Sequence, residues 1–227
     1  MNFRNRIFKI KISSVITPQL QLFQIYSRVE KVADSLDKWS IYKPECIALI
    51  INSLGGSLIQ TQNLANLIKK YSQTNKIPIY CFGEDIVIKS ALGLLTIGDK
   101  AYVNPYAIVG NMGYAQPFFD LRKLASNWHI YQKHIVTNEN MKLLNPLTEL
   151  SEKNKEWVEQ QMKNQEAELI NMIEINRKLD KSTFEDRVKE VYHNGIVQPN
   201  VLLKHGIIDG YIGFDTMSQG KKVRKLM

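Results

Sequence analysis

Glu45-Cys46-Ile47-Ala48-Leu49-Ile50-Ile51 runs almost without a polar residue and ends in Asn52-Ser53-Leu54-Gly55-Gly56-Ser57. A run that is apolar on successive residues reads as a strand buried on both faces, as in a parallel sheet. The two glycines permit a sharp strand-to-helix turn, and Ser57 is placed to cap the helix beyond it. Leu58, Leu64, Leu67 and Ile68 then carry helical spacing toward Tyr71, and Pro78 opens a second strand at Ile79-Tyr80-Cys81-Phe82. Strand, helix and strand in this order predict a mainly parallel α/β arrangement.

The same reading extends outward in both directions. Ile7-Phe8-Lys9-Ile10-Lys11-Ile12 alternates apolar and basic residues, as a half-exposed strand does, and an amphipathic stretch covers roughly 19–39. Residues 86–97 are mostly apolar and read as a buried helix. Ala101-Tyr102-Val103 reads as a short strand and Gly110-Asn111-Met112-Gly113 as a turn. A long helix is expected over 150–178, with Ser151 as its N-cap and Glu152 in its first turn, and a short one over 182–192. Residues 195–213 read as turn, helix and a last short strand at Tyr211-Ile212. There is no internal repeat and no low-complexity segment.

At 227 residues the chain is expected to form a single domain, 1–227, with a real hydrophobic core. The apolar runs at 46–52 and 87–97 fall short of the roughly 18 residues that a membrane-spanning helix needs. Thirty lysines and arginines against 22 acids give +8, a balance that favours polyanions: nucleic acid, anionic lipid or acidic protein neighbours. A solvated, lysine-rich surface accounts for the charge equally well, and no zinc-finger spacing or RNA-binding aromatic motif sharpens the nucleic-acid option. Cys46 and Cys81 both sit beside apolar strand sequence and read as buried free thiols. His129, His134, His193 and His205 show no metal-ligand spacing, so neither metal nor cofactor is expected. The first acid is Glu30, after Arg4, Arg6, Lys9, Lys11 and Arg28. An acid-free, arginine-containing start resembles a mitochondrial transit segment and so suggests a mitochondrial location, but the strand pattern at 7–12 is the better-supported reading of that segment.

Four ordered stretches carry a resemblance. Ile51-Asn52-Ser53-Leu54-Gly55-Gly56-Ser57 resembles the I-N-S-P-G-G-S turn of signal peptide peptidase A, its relative SohB, and ClpP. Gly98-Asp99-Lys100-Ala101-Tyr102-Val103-Asn104-Pro105 resembles the family's A-D-x-I-x-A-x-P segment. Ala107-Ile108-Val109-Gly110-Asn111-Met112-Gly113 resembles its A-x-V-G-S-I-G loop, and Lys204-His205-Gly206-Ile207-Ile208-Asp209-Gly210 its closing x-x-G-L-V-D-E. The resemblance spans about residues 45–212. It implies a ClpP/crotonase-like α/β fold, with a mainly parallel sheet, flanking helices and a C-terminal helical segment. Membrane-bound relatives carry an N-terminal anchor, and no such segment is read here.

The family's peptidases use a serine nucleophile and a lysine base whose pKa is lowered in an apolar pocket. Backbone N–H groups at the Gly-Gly turn and beside the nucleophile stabilise the oxyanion, which gives Gly55 and Gly56 that role; the alternative is that the turn merely joins strand to helix. The stretch Val87-Ile88-Lys89-Ser90-Ala91-Leu92-Gly93 offers Ser90 as nucleophile where the family has A-A-S-G-G-Y. At the family's spacing from Pro78 and from Asp99, however, the nucleophile position falls on Lys89. The base shows the same slip: counted back from Asn145-Pro146 and from Ser151, its position falls on Met141 and not Lys142. One residue on a helix turns a side chain by about 100°. Ala91 and Leu92 also stand where the family has small residues, and Asn111 where its loop has serine.

These counts favour a catalytically degenerate homologue, retained as a subunit of a larger, mitochondrial assembly. Its partners would be other protein subunits in a homo- or hetero-oligomer, with a peptide held in the groove as a further option, and nucleic acid only through a ribosome-like assembly. The alternative is a working peptidase with a Ser90/Lys142 dyad that cleaves short hydrophobic or signal-peptide-derived peptides. A crotonase-like acyl-CoA enzyme is the third reading, disfavoured because no acid pair stands out in the expected turn. Read as ordinary residues, Ser90 bonds a nearby carbonyl, Lys142 is a solvated cation, and Lys89 extends toward water.

Overall fold

The computed structural model of the chain describes residues 7–13, 15–16, 32, 36, 44–133, 135–137 and 145–213. Its sheet opens with β1 (Ile7–Ser13), where Phe8, Ile10 and Ile12 face inward and the residues between them face out. β2 (Cys46–Ser53) is buried along almost its whole length, as its unbroken apolar run requires. Ser57 caps α1 (Leu58–Asn75) through its side-chain oxygen, which accepts the Gln60 N–H. The helix buries Thr61, Leu64, Ala65 and Ile68, one stripe at helical spacing.

β3 (Ile79–Ile88) is longer than the sequence suggests, and this is the main correction to the reading of 86–97. The first part of that stretch, through Ile88, is strand, and only α2 (Ser90–Leu95) is helix. The strand continues because Ile86, Val87 and Ile88 find a second parallel partner in β5 (Ile108–Gly110), beyond the stretch where β3 pairs with β4 (Lys100–Val103). Asn52 bridges the shift in register: its side-chain oxygen accepts the Ile86 N–H at 3.2 Å and its amide donates to Asp85 at 2.9 Å. The expected turn at 110–113 therefore begins as strand.

A short helix, α3 (Arg122–Asn127), comes next, and then α4 (Glu152–Arg177), within the range expected for the long helix. The helical run over 181–192 starts as a 3₁₀ turn, becomes α5 (Phe184–Arg187) and closes as a π turn. β6 (Ile196–Val197), α6 (Pro199–Lys204) and β7 (Gly210–Tyr211) are the last elements among the described residues, the last strand lying one residue earlier than anticipated. The seven strands run in the order β1-β2-β3-β4-β7, with β5 on β3 and β6 on β5. Every pairing is parallel except β5 with β6. This is the mainly parallel α/β sheet with flanking helices that the sequence implies.

The chain divides into two compact units, one formed by 1–113 with 168–227 and the other by 114–167. The core of the first unit joins β1–β5 to α1, α2 and the end of α4, with Ile47, Leu49, Leu64, Ala91, Leu92 and Leu169 fully or almost fully buried. Cys46 and Cys81 are both buried free thiols, and burial pushes the Cys46 thiol up to about 11. A cation is buried as well: Arg187, 1% exposed, donates to both carboxylate oxygens of Glu174, and the Tyr192 hydroxyl donates to the same carboxylate. Burial, with Glu174 beside it, pushes the Tyr192 phenol far above its ordinary value. Within 19–39 only Val32 and Leu36 are described, and both are helical and buried.

Candidate functional site

The two halves of the candidate site meet at two tight bends. The first is the turn between β2 and α1. Gly55 has φ 81° and Gly56 φ 146°, both in the region where side chains are strained. A Cβ on Gly56 would lie 2.1 Å from the Ile16 carbonyl oxygen, and one on Gly55 would lie 2.8 Å from both the Ile88 oxygen and the Lys89 Cβ. The residues around the turn pin it from both sides. Ile16 donates to the Gly55 oxygen at 2.8 Å, and Ser57 donates to the Ile16 oxygen at 2.8 Å. The Ser53 hydroxyl accepts the Gly55 N–H at 3.2 Å. Glycine at 55 and 56 is therefore required by close packing as well as by dihedral angle.

The second bend joins β3 to α2, and Lys89 forms it. Its backbone sits at φ 53°, ψ −131°, a sparsely populated conformation for a lysine that costs about 1–3 kcal/mol and persists only where neighbours enforce it. The Lys89 N–H donates to the Gly110 oxygen at 3.0 Å, and its carbonyl accepts the Leu92 N–H at 3.0 Å. Gly55 fills the space directly against its Cβ. A strained strand-to-helix bend of this kind is how many hydrolases lift a nucleophile out of a sheet. Here the residue on the bend is Lys89, half-buried, with Ser90 one position into the helix.

Ser90 is completely buried, and its hydroxyl donates to the Gly56 carbonyl at 3.3 Å. Its side chain thus ties the start of α2 to the Gly-Gly turn. Ala91 and Leu92, next along the helix, are also completely buried. Gly93 lies under α4, where a Cβ would come 2.7 Å from a Leu169 methyl. Among the described residues, neither the Gly56 nor the Ser90 amide N–H has a hydrogen-bond acceptor. Two amide donors at the meeting of these bends suit a carbonyl or carboxylate oxygen. The hydroxyl beside them is committed to a carbonyl.

The other wall of the region comes from the loop after β5. Asn111 has φ 47°, and its N–H donates to the Gly195 oxygen at 2.5 Å, while Met112 is completely buried. The base candidates Lys142 and Met141 lie outside the described residues. No group of histidine, cysteine, aspartate or glutamate among the described residues is arranged to hold a metal ion.

The two acidic motif residues have structural positions. Asp99 accepts the Ile79 N–H through its carboxylate at 2.8 Å and returns its own N–H to the Ile79 oxygen at 2.8 Å. Asp209 accepts the Ala101 N–H at 2.8 Å, Arg177 at 2.7 Å and Lys100 at 3.0 Å. Burial pushes the Asp209 carboxyl up, but the Ala101 N–H and the two cations outweigh it and hold it below the ordinary carboxylate value. Sequence reasoning missed Asn52 as the bridge across the register shift between β2 and β3. Its signal was a polar side chain that ends an otherwise apolar buried run.

No curated protein matches the chain's sequence. The model of peptidase family S49 matches residues 72–194, which include Lys89, Ser90, Asp99 and the loop at 107–113 but not the Gly-Gly turn. With that match over more than half of its length, and with a parallel sheet that delivers the bend at Lys89 against Gly55, the chain belongs to peptidase family S49.

Proposed function

We propose that this S49 chain does not cleave peptides through Ser90 and acts as a non-catalytic subunit of a larger assembly. The observation that carries the reading is at the bend: the residue lifted there is Lys89, and Ser90 is buried with its hydroxyl donated to Gly56. A serine nucleophile needs a base within hydrogen-bond reach and an open approach for the substrate carbonyl. Ser90 would have to leave the Gly56 oxygen and gain access past a completely buried position to meet that need. Packing argues the same way, because Ala91 and Leu92 fix the start of α2 in the core and so hold Ser90 in its buried position.

The rest of the architecture retains what a scaffold requires. The Gly-Gly turn, the Asp99 and Asp209 anchors and the sheet are all intact, so loss of chemistry carries no loss of shape. Native electrophoresis of the tagged chain in gentle extracts tests the proposal. The chain is expected to migrate with a complex far larger than its own 26.2 kDa and to show no peptidase activity that Ser90→Ala removes. Recovery as a free, active hydrolase overturns it.

A further inference from the structure

The unit formed by 114–167 is short of a core. None of its described residues is buried: α3 buries no side chain, and α4 first buries one at Leu169, beyond the unit. Its apolar residues are plentiful all the same. Phe119, Trp128 and Tyr131 are 73–76% exposed, Leu124 and Ile130 more than half exposed, and Ile135 fully so. Leu121, Leu124, Ala125, Trp128, Ile130 and Leu147 line an open hollow of about 400 Å³. Such a concentration of uncovered apolar side chains on a folded surface marks a contact site.

Three observations select the occupant. The first is charge. Residues 114–167 hold seven acids and seven bases, so the excess of +8 falls entirely on the remainder of the chain. Two chains of like charge repel least where each is neutral, and a polyanion would be drawn to the basic remainder instead. Arg122, next to Leu121 of the hollow, is itself neutralised by Asp120 at 2.8 Å and Glu149 at 3.2 Å. The second is area. Covering three aromatic side chains that are about three-quarters exposed removes roughly 450 Å² from water. That is over half of the ~800 Å² that each partner gives to a stable interface, and Leu121, Leu124, Ile130 and Ile135 extend it toward that size. The third is shape. A two-fold contact needs a projection and a recess on the same patch, because the symmetry uses each of them twice. Residues 119–135 supply both, in the fully exposed Ile135 and in most of the lining of the hollow.

We infer that a second copy of this chain covers the face built on Arg122–Asn127 and its flanking segments, in a two-fold dimer that seats apolar side chains of each copy in the hollow of the other. The contact gives 114–167 the buried apolar surface that its described residues lack on their own. It holds whether or not Ser90 is catalytic, so its failure leaves the reading of Ser90 untouched.

Sedimentation velocity of the purified full-length chain over a dilution series tests the inference. A reversible dimer, of twice the 26.2 kDa of the chain, is expected to form as concentration rises. Its dissociation constant should change less than about threefold as salt is raised, because a contact between neutral apolar faces is little screened. Trp128→Ser should raise that constant about tenfold or more, as truncation of an aromatic at the centre of an interface does. Tyr106→Ser, which alters a side chain 93% exposed but outside the unit, should leave it unchanged. If Trp128→Ser misfolds, hydrogen exchange in the unaltered chain decides the matter. Amides of 119–135 that become protected as concentration rises support the inference, and exchange there that is independent of concentration overturns it. A monomer at every concentration overturns it, as does a dimer that Trp128→Ser leaves intact. Open-ended growth that Trp128→Ser abolishes overturns the two-fold arrangement. A monomer that binds lipid vesicles or a different protein through Trp128 overturns the inference in favour of that occupant.

Discussion

The bend at Lys89 and the anchor at Asp209 both lie in segments that resemble motifs of the family, and they are held in different ways. At Asp209 the motif's side chain is present and fully engaged by Ala101, Arg177 and Lys100. At the bend the backbone shape is present, strained and braced, but the side chain on it is a lysine. Holding a sheet together requires that particular carboxylate, since an N–H and two cations converge on it. Holding the bend requires only backbone bonds and a glycine opposite, which leave the side chain free to differ. The shape of this bend is thus held by its neighbours and not by the side chain it carries.

The largest effect expected from testing this contrast is at the glycine turn that faces the bend. Gly56→Ala forces a Cβ to 2.1 Å from a backbone oxygen at a positive φ, and should destabilise the chain by about 3 kcal/mol or more in urea unfolding. Tolerance of that alanine would show that the turn is looser than its packing indicates. Next comes the anchor. Asp209→Ala strands the Ala101 N–H and the partly buried Arg177, for an expected loss of about 2–3 kcal/mol. The pH dependence has a definite sign. Because the folded carboxyl is held below the ordinary value of about 3.9, its contribution is complete above that value and is lost as pH falls through the folded pKa. The stability difference between the parent and Asp209→Asn should shrink in that acid window. A difference independent of pH would assign the loss to packing alone.

Smaller effects come from the bend itself. Lys89→Gly removes the penalty of a side chain at φ 53° and should stabilise the chain by about 1 kcal/mol. Destabilisation instead would mean that the lysine side chain makes a packing contribution exceeding its strain. Ser90→Ala deletes one hydroxyl-to-carbonyl bond and should cost about 1 kcal/mol.

How much of this was legible in the sequence varies with the kind of constraint. The apolar run at 46–51 predicts β2 because burial on both faces leaves no room for polar residues. Counting from Pro78 and Asp99 to the bend is meaningful because Asp99 is bonded to Ile79 on both its N–H and its carboxylate, which fixes the ends of that interval in space. The split of 86–97 into strand and helix was not legible. Both halves are buried, and an apolar run carries no period that separates a buried strand from a buried helix. The extension of β3 depends on its pairing with β5 and on the Asn52 bridge, contacts between residues distant in sequence. Nor does the sequence announce the strain at Lys89, since lysine has no preference for positive φ.

The most direct test of the central claim is labelling of the full-length chain with a fluorophosphonate, read by intact mass and by peptide mapping beside Ser90→Ala. A buried Ser90 hydroxyl that donates to Gly56 predicts no adduct on Ser90 and no difference between the two proteins. A stoichiometric adduct on Ser90, absent from Ser90→Ala, would contradict the account and return the chain to the working peptidases of its family.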